Sequence, residues 1–223
     1  RRRAGAEDSA SSQTAGGASI ALIVSKKQNK ASIGSGNVIV SEGALVTATN
    51  HKIDSPTPFE FGEPDEILDD IRTALENDKL LGANNYYVEA IGGAAANTTS
   101  VQGSFGIIVI DDEVTATIGE SQDGAAATAT SINARTGDVS AEAENEFLAK
   151  ALTGALSISG KTGVGVSANV IVSSGLTRGK IADSAVITNA GDVTVSATAT
   201  QDIQSFSITA AGGGTTAIAG VAT

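Results

Sequence analysis

The sequence predicts an all-β chain, a parallel β-solenoid built from degenerate repeats of about 54 residues and interrupted by one helix-containing insertion. Three observations lead there: long stretches in which apolar and polar residues alternate strictly, near-identical segments that recur at a fixed spacing, and a composition suited to stacked strands. Gly, Ala, Ser, Thr, Val and Ile dominate the 223 residues, aromatics are 3% and the mean hydropathy is +0.09, so the bulky anchors of an ordinary globular core are scarce. The 26 glycines and the net charge of −11 favour low-complexity disorder, but sustained period-two apolar rows argue against it.

The alternation is clearest in "NAGDVTVSATAT" (189–200). Successive strand side chains point to opposite faces, so Val193, Val195, Ala197 and Ala199 are expected inside and Thr194, Ser196, Thr198 and Thr200 outside. The Gly-Asp before them suits a tight turn, since Gly accepts positive φ and Asp can bond its own backbone. "RTGDVSAEAEN" (135–145) spells nearly the same thing, and a shift of 54 positions lays Gly137-Asp138-Val139 on Gly191-Asp192-Val193. At that offset Ala151-Leu152-Thr153 meets Ser205-Phe206-Ser207, and "SGKTGVGV" (159–166) meets "GGTTAIAG" (213–220).

A second landmark, read as an apolar run, a short polar turn and a strand, occurs as "IVSKKQNKASIG" (23–34), "VIDDEVTATIG" (109–119) and "IVSSGLTRGKIA" (171–182). Ile33 to Leu45 and Ile181 to Val193 are both 12 apart, whereas Ile118 to Val139 is 21 apart, which places 9 extra residues in the Ala/Thr-rich "ESQDGAAATATS". The chain therefore holds about three copies and the beginning of a fourth. A 54-residue repeat admits two coils of about 27 residues or three of about 18. The start without methionine and the end in "AIAGVAT", which the offset matches to mid-strand, suggest a piece of a longer array.

Residues 1–50 and 87–223 carry the repeats, and 51–86 break them. The segment "HKIDSPTPFEFGEPDEILDDIRTALENDKLLGANN" (51–85) holds all three prolines and reads as a loop and a helix: Pro64 in the first turn, acids at the N-terminal end, Ile67, Leu68, Ile71 and Leu75 on one stripe, and Gly82 closing it. Nine acids against three bases supply six of the eleven net negative charges. Four of the seven aromatics, Phe59, Phe61, Tyr86 and Tyr87, lie in it or at its exit. Binding usually sits on loops held by a rigid scaffold, so Phe59, Phe61, Asp65, Glu66, Asp69, Asp70, Tyr86 and Tyr87 are the candidate partner-contact residues. The plainer account is that the rings and the helix stripe pin the insertion to the solenoid flank.

Without cysteine there is no disulfide framework, thiolate site or Cys nucleophile. The single histidine, His51, supports neither a zinc site nor a Ser-His-Asp triad, and no catalytic, cofactor or metal residue is assigned. The G-G-x-G-x-D calcium repeat does not occur, since Gly212–Gly214 are followed by Thr-Thr. Asp69-Asp70 and Asp111-Asp112 are adjacent carboxylates, but neighbours on a strand or helix diverge, so both pairs are expected in solvated turns or surfaces. "GKTG" (160–163) lacks the upstream glycine of a phosphate loop and reads as a turn, and Arg1–Arg3 as a solvated terminus. A pI near 4.4 with no basic stripe disfavours nucleic acid, and no run of 18 apolar residues or signal peptide is present.

The stretch "GVGVSANVIVSSGLTRGKIADSAVITNAGDVTVSATATQD" resembles the repeats of the large leukotoxin-type filamentous adhesins of Gram-negative bacteria, relatives in style of filamentous haemagglutinin. The resemblance covers residues 10–50 and 86–223 and rests on patterns of small residues and turns, which other β-solenoids, including phage tail spikes and polysaccharide lyases, share. It implies a right-handed parallel β-helix outside the cell, in an exported surface filament or toxin-like adhesin, and transfers no catalytic residue. The expectation is a non-enzymatic, extracellular segment whose partner is a host or neighbouring-cell receptor or, along the filament, itself. The alternatives are a carbohydrate-active β-helix enzyme or tail-spike-like fibre, which would show a cleft where acids or Arg/Lys converge from successive coils, and a plain structural spacer. The exposed faces are expected to show mainly Thr, Ser and Asn.

Overall fold

The computed structural model describes residues 13–51, 86–121 and 128–223, and the backbone alone of 2–6. All regular structure among them is β: β1 (Arg2–Ala6), β2 (Thr14–Gly34), β3 (Val38–Val40), β4 (Ala44–Asn50), β5 (Tyr86–Ala96), β6 (Thr99–Glu120), β7 (Thr130–Asn133), β8 (Val139–Ser159), β9 (Thr162–Ile181), β10 (Ala185–Thr188), β11 (Val193–Gly213) and β12 (Thr216–Ala222). They form three sheets, the first of β1, β4, β5, β8 and β11, the second of β2, β6, β9 and β12, and a short third of β3, β7 and β10, in which every pairing is parallel. The chain visits the sheets in the same order on each circuit and pairs with its own previous pass. This is a β-solenoid-like stack. The helix expected within 51–86 lies outside the described residues.

One circuit takes 54 residues, not half or a third of that: Val139 pairs with Val193 and Thr162 with Thr216. Each coil is a long hairpin-like loop, two strands of about 20 residues joined by the two-residue Gly160–Lys161 turn and closed by a four-residue strand. The landmark segments carry no turn, because β2, β6 and β9 run straight through them with Ile33, Ile118 and Ile181 in register. The nine extra residues of the middle copy are divided. Pairing moves from 63 positions at Ile118–Ile181 to 55 at Thr130–Ala185 and 54 at Val139–Val193, so eight lie between β6 and β7 and one in the following turn. That turn sets Arg135 and Thr136 at φ 47° and 78°, its shorter counterpart only Asn189 at 52°. Gly137 is not left-handed; a Cβ there would overlap the Glu42 carbonyl, so close approach of stacked coils requires the glycine.

Between the long sheets the interior changes character along the strands. Near the short sheet it is aliphatic: Ile118, Ile132, Val139, Ala141 and Ala143 are 0–1% exposed. A second cluster surrounds Val88, Ile108, Ile110 and Phe147. Toward the Gly160–Lys161 turn it becomes a hydroxyl and amide ladder, with Ser100 on Ser157 at 2.5 Å, Thr153 on Ser207 at 2.8 Å, Ser104 donating to the Gly154 carbonyl at 2.7 Å and Asn169 to that of Phe206 at 2.7 Å. Small polar side chains let the sheets approach, and bonding among themselves offsets their desolvation.

The last coil departs from expectation. Val193 and Val195 align with buried Val139 and Ala141 but are 52% and 49% exposed, because β12 spans only Thr216–Ala222 and faces the other end of β11.

Candidate functional site at the root of the insertion

The first sheet opens between Asn50 and Tyr86. Asn50 pairs with Asn145 and Tyr86 with Ala149, so 35 residues stand where the next coil uses three, Glu146, Phe147 and Leu148. Both flanks of the gap are tied to one side chain. Alternation on β6 turns Asp111 outward and Asp112 inward, to 1% exposure. The Tyr86 hydroxyl donates to the Asp112 carboxyl, lying 3.0 Å from either oxygen, and the Asn50 amide donates to Asn145 at 2.8 Å and to Asp112 at 3.4 Å. The Tyr86 ring meets Phe147 edge-on at 5.8 Å, with the Lys27 ammonium 4.9 Å from its centroid. Burial pushes the Tyr86 phenol above its ordinary range, and Asp112 adds to the rise, against hydrogen bonds from Ser25 and Lys27. Asp112 is thus no solvated turn residue but the knot that closes the strand gap.

Of the candidate contact residues, Tyr86 and Tyr87 are 3% and 4% exposed, Tyr86 facing the interior and Tyr87 donating to Glu89 at 3.3 Å. Phe59, Phe61, Asp65, Glu66, Asp69 and Asp70 lie outside the described residues.

On the outer side of the same strand gap, β8 presents Glu142, Glu144 and Glu146 between neutral rows, Thr47 and Thr49 of β4 and Ser196, Thr198 and Thr200 of β11. His51 follows β4 directly, and one ligand atom each of His51, Glu144 and Glu146 lie within 4.8 Å of one another. One imidazole and two carboxyls are a donor set that a borderline divalent ion accepts, although bonds of about 2.0–2.2 Å would need them to draw closer. No local motif announces this grouping, since the glutamates stand 93 and 95 positions from His51 and meet it only through the coil register.

A second feature lies on the outer face of the second sheet, where Lys30, Glu113, Glu120 and Arg178 from three successive coils line a groove of about 540 Å³. This is the convergence that would mark a carbohydrate-active cleft, but its acids are committed. Lys30 contacts Glu113 at 2.9 Å, and Arg178 and Lys180 contact Glu120 at 3.1 and 3.2 Å. Desolvation opposes ionisation of Glu120, yet the Lys180 hydrogen bond and the two positive charges outweigh it and hold the carboxyl below the usual glutamate range, the reverse of what a general acid needs.

Fold and root together describe a stacked parallel-strand scaffold in which 35 residues separate two neighbouring strand positions, Asn50 and Tyr86. Comparison with known protein families, with curated proteins and with solved structures returns no match. Among the described residues no helix is long and apolar enough to cross a membrane.

Proposed function

We propose that this chain is a non-enzymatic segment of a secreted bacterial surface filament or adhesin, a right-handed parallel β-solenoid that serves as a stalk and carries residues 51–86 as its recognition element. The observation that carries the reading is the gap between Asn50 and Tyr86: a strand position that needs three residues holds 35, while the pairing on both sides stays in register. A coil gains nothing in pairing from so long a segment, and long insertions persist on rigid scaffolds because closure entropy grows slowly with length. Right-handed winding is the general rule for parallel crossovers. The acid-rich composition of the insertion favours a basic partner surface and binding that weakens with salt.

The test follows from the register. Replacing residues 51–85 by Glu-Phe-Leu, the sequence of the next coil at that point, restores an unbroken strand. The expected result is unchanged β circular dichroism and melting with loss of binding to target cells. Retained binding would place recognition elsewhere, and an unfolded product would make the insertion a structural cover. Detection of the parent protein only inside the producing cells would end the surface-filament reading.

A further inference from the structure

The long strands are inverted toward their Gly160–Lys161 end. Ser19, Ser104, Ser167 and Asn169 point inward and are 0–4% exposed, while aliphatic and aromatic neighbours in the same strands point out. On the second sheet Leu22 and Val24 of the first coil, Phe105 of the second, and Val170 and Val172 of the third stand 48, 68, 39, 50 and 49% exposed. The register aligns them into columns, Leu22 on Ile107 on Val170 and Val24 on Val109 on Val172. Behind these columns Ile23, Ile108, Ile110 and Ile171 already fill the interior, so the sheet is apolar on both faces and the coil does not use the outward row for its own packing.

With Ile20 at 61% and Val166 at 40%, these side chains form one apolar stretch across three coils, and a continuous exposed stretch on the order of a few hundred Å² marks an interaction site. The border is polar: the next column toward the short sheet pairs Lys26 with Asp111 at 3.5 Å, and Gln28 donates to Glu113 beyond it. An apolar centre with a charged rim is interface anatomy.

We propose that the outer face of the second sheet pairs with the same face of a second copy of this chain, so that two solenoids lie side by side across a two-fold axis. This rests on the filament reading and names one of its partners, a lateral neighbour rather than the next segment along the fibre. Stacked sheets pack about 10 Å apart, and two copies share one coil-to-coil spacing, so side-chain rows that interdigitate at one coil interdigitate at all. A bilayer fits less well. Membrane-facing surfaces carry Trp and Tyr at the interface and basic residues toward anionic headgroups. Here there is no Trp, both tyrosines are buried, and the net charge is −11.

Sedimentation velocity on the 223-residue chain tests the proposal, comparing the unmodified protein with Leu22→Lys, Val170→Lys, the near-isosteric Val170→Thr and, at the open end of the last coil, Val195→Lys. The expected result is a dimer in the micromolar range, weakened roughly 100-fold or more by either outward lysine and about 10-fold by threonine, and unchanged by Val195→Lys. Circular dichroism should show native β structure in all four variants. A monomer at about 100 µM overturns the proposal. So does association lost with Val195→Lys but kept with Val170→Lys, which would run through coil ends, and so does Val170-dependent flotation with phosphatidylcholine vesicles, which would make the face a lipid surface. Loss of β structure in Val170→Thr would show that the row packs within the coil and overturns it too. None of these outcomes touches the cell-binding test above, so the two readings fail separately.

Discussion

Tyr86→Phe isolates the knot that holds the flanks of the insertion. The substitution keeps the ring, its edge-on contact with Phe147 at 5.8 Å and the Val88–Ile108 cluster, and removes only the hydroxyl that lies 3.0 Å from both Asp112 oxygens. Asp112 is 1% exposed, and Asn50 at 3.4 Å is then its nearest remaining side-chain donor in this cluster. A hydrogen bond of this kind contributes about 1–3 kcal/mol, and a buried oxygen left with a poor partner belongs at the upper half of that range, so a loss of about 2 kcal/mol is expected. Urea unfolding followed by circular dichroism measures it, and tyrosine emission adds a local probe: the chain has no Trp, and both tyrosines sit at the root. If the bond ties the flanks together, combining Tyr86→Phe with Asp112→Asn should cost less than the sum of the two by about 1 kcal/mol or more. Strict additivity, or a Tyr86→Phe loss below about 0.5 kcal/mol, would refute the reasoning.

The interior makes three further predictions. Ala141→Asp, at a fully buried position, should prevent folding or cost about 4 kcal/mol or more, whereas Val195→Asp, at the aligned but half-exposed position of the last coil, should move the melting temperature little; equal effects would contradict the assignment of the last coil. Phe147→Ala, 1% exposed, should cost about 3–5 kcal/mol by leaving a cavity beside Tyr86, measured by chemical denaturation. The raised phenol of Tyr86 favours the neutral form in the folded state. Its contribution is therefore complete below the ordinary value of 10.0 and is lost as pH rises through the folded value, so stability should fall on the alkaline side above about pH 10, less so in Tyr86→Phe.

The sequence repeat was readable because it is the hydrogen-bond register itself. Parallel in-register pairing sets Val139 beside Val193 and Leu152 beside Phe206, so the sequence offset of 54 is the length of one circuit. The sequence alone admits shorter coils because alternation reports which residues share a face, not how far a strand runs before the chain bends. The same limit hid the inverted end: the alternation in "QGSFG" (102–106) states that Ser104 and Phe105 face opposite ways, and only the second sheet shows that the serine faces in. Expecting Thr, Ser and Asn on the exposed faces was therefore correct for Thr194 and Thr198 of the first sheet and wrong for Phe105 and Val170 of the second. Asp112 and the His51–Glu144–Glu146 grouping were out of reach for another reason. Asn50 and Tyr86 stand 62 and 26 positions from Asp112, on the facing sheet of the same coil, and His51 meets Glu144 and Glu146 of the next coil, so no short window of sequence contains either set.

The 54-residue circuit also sets how such a chain must fold. The first contact between one coil and the next closes a loop of about 54 residues before any hydrogen bond rewards it, while each further pair along a 21-residue strand closes almost nothing. Nucleation is therefore slow and extension fast, as in the growth of a one-dimensional crystal. An existing coil is the natural seed for its successor. A chain emerging from a pore one end first would add coils in order onto the part already folded, with the work of assembly moving along the axis as a front rather than taking place at once throughout the molecule.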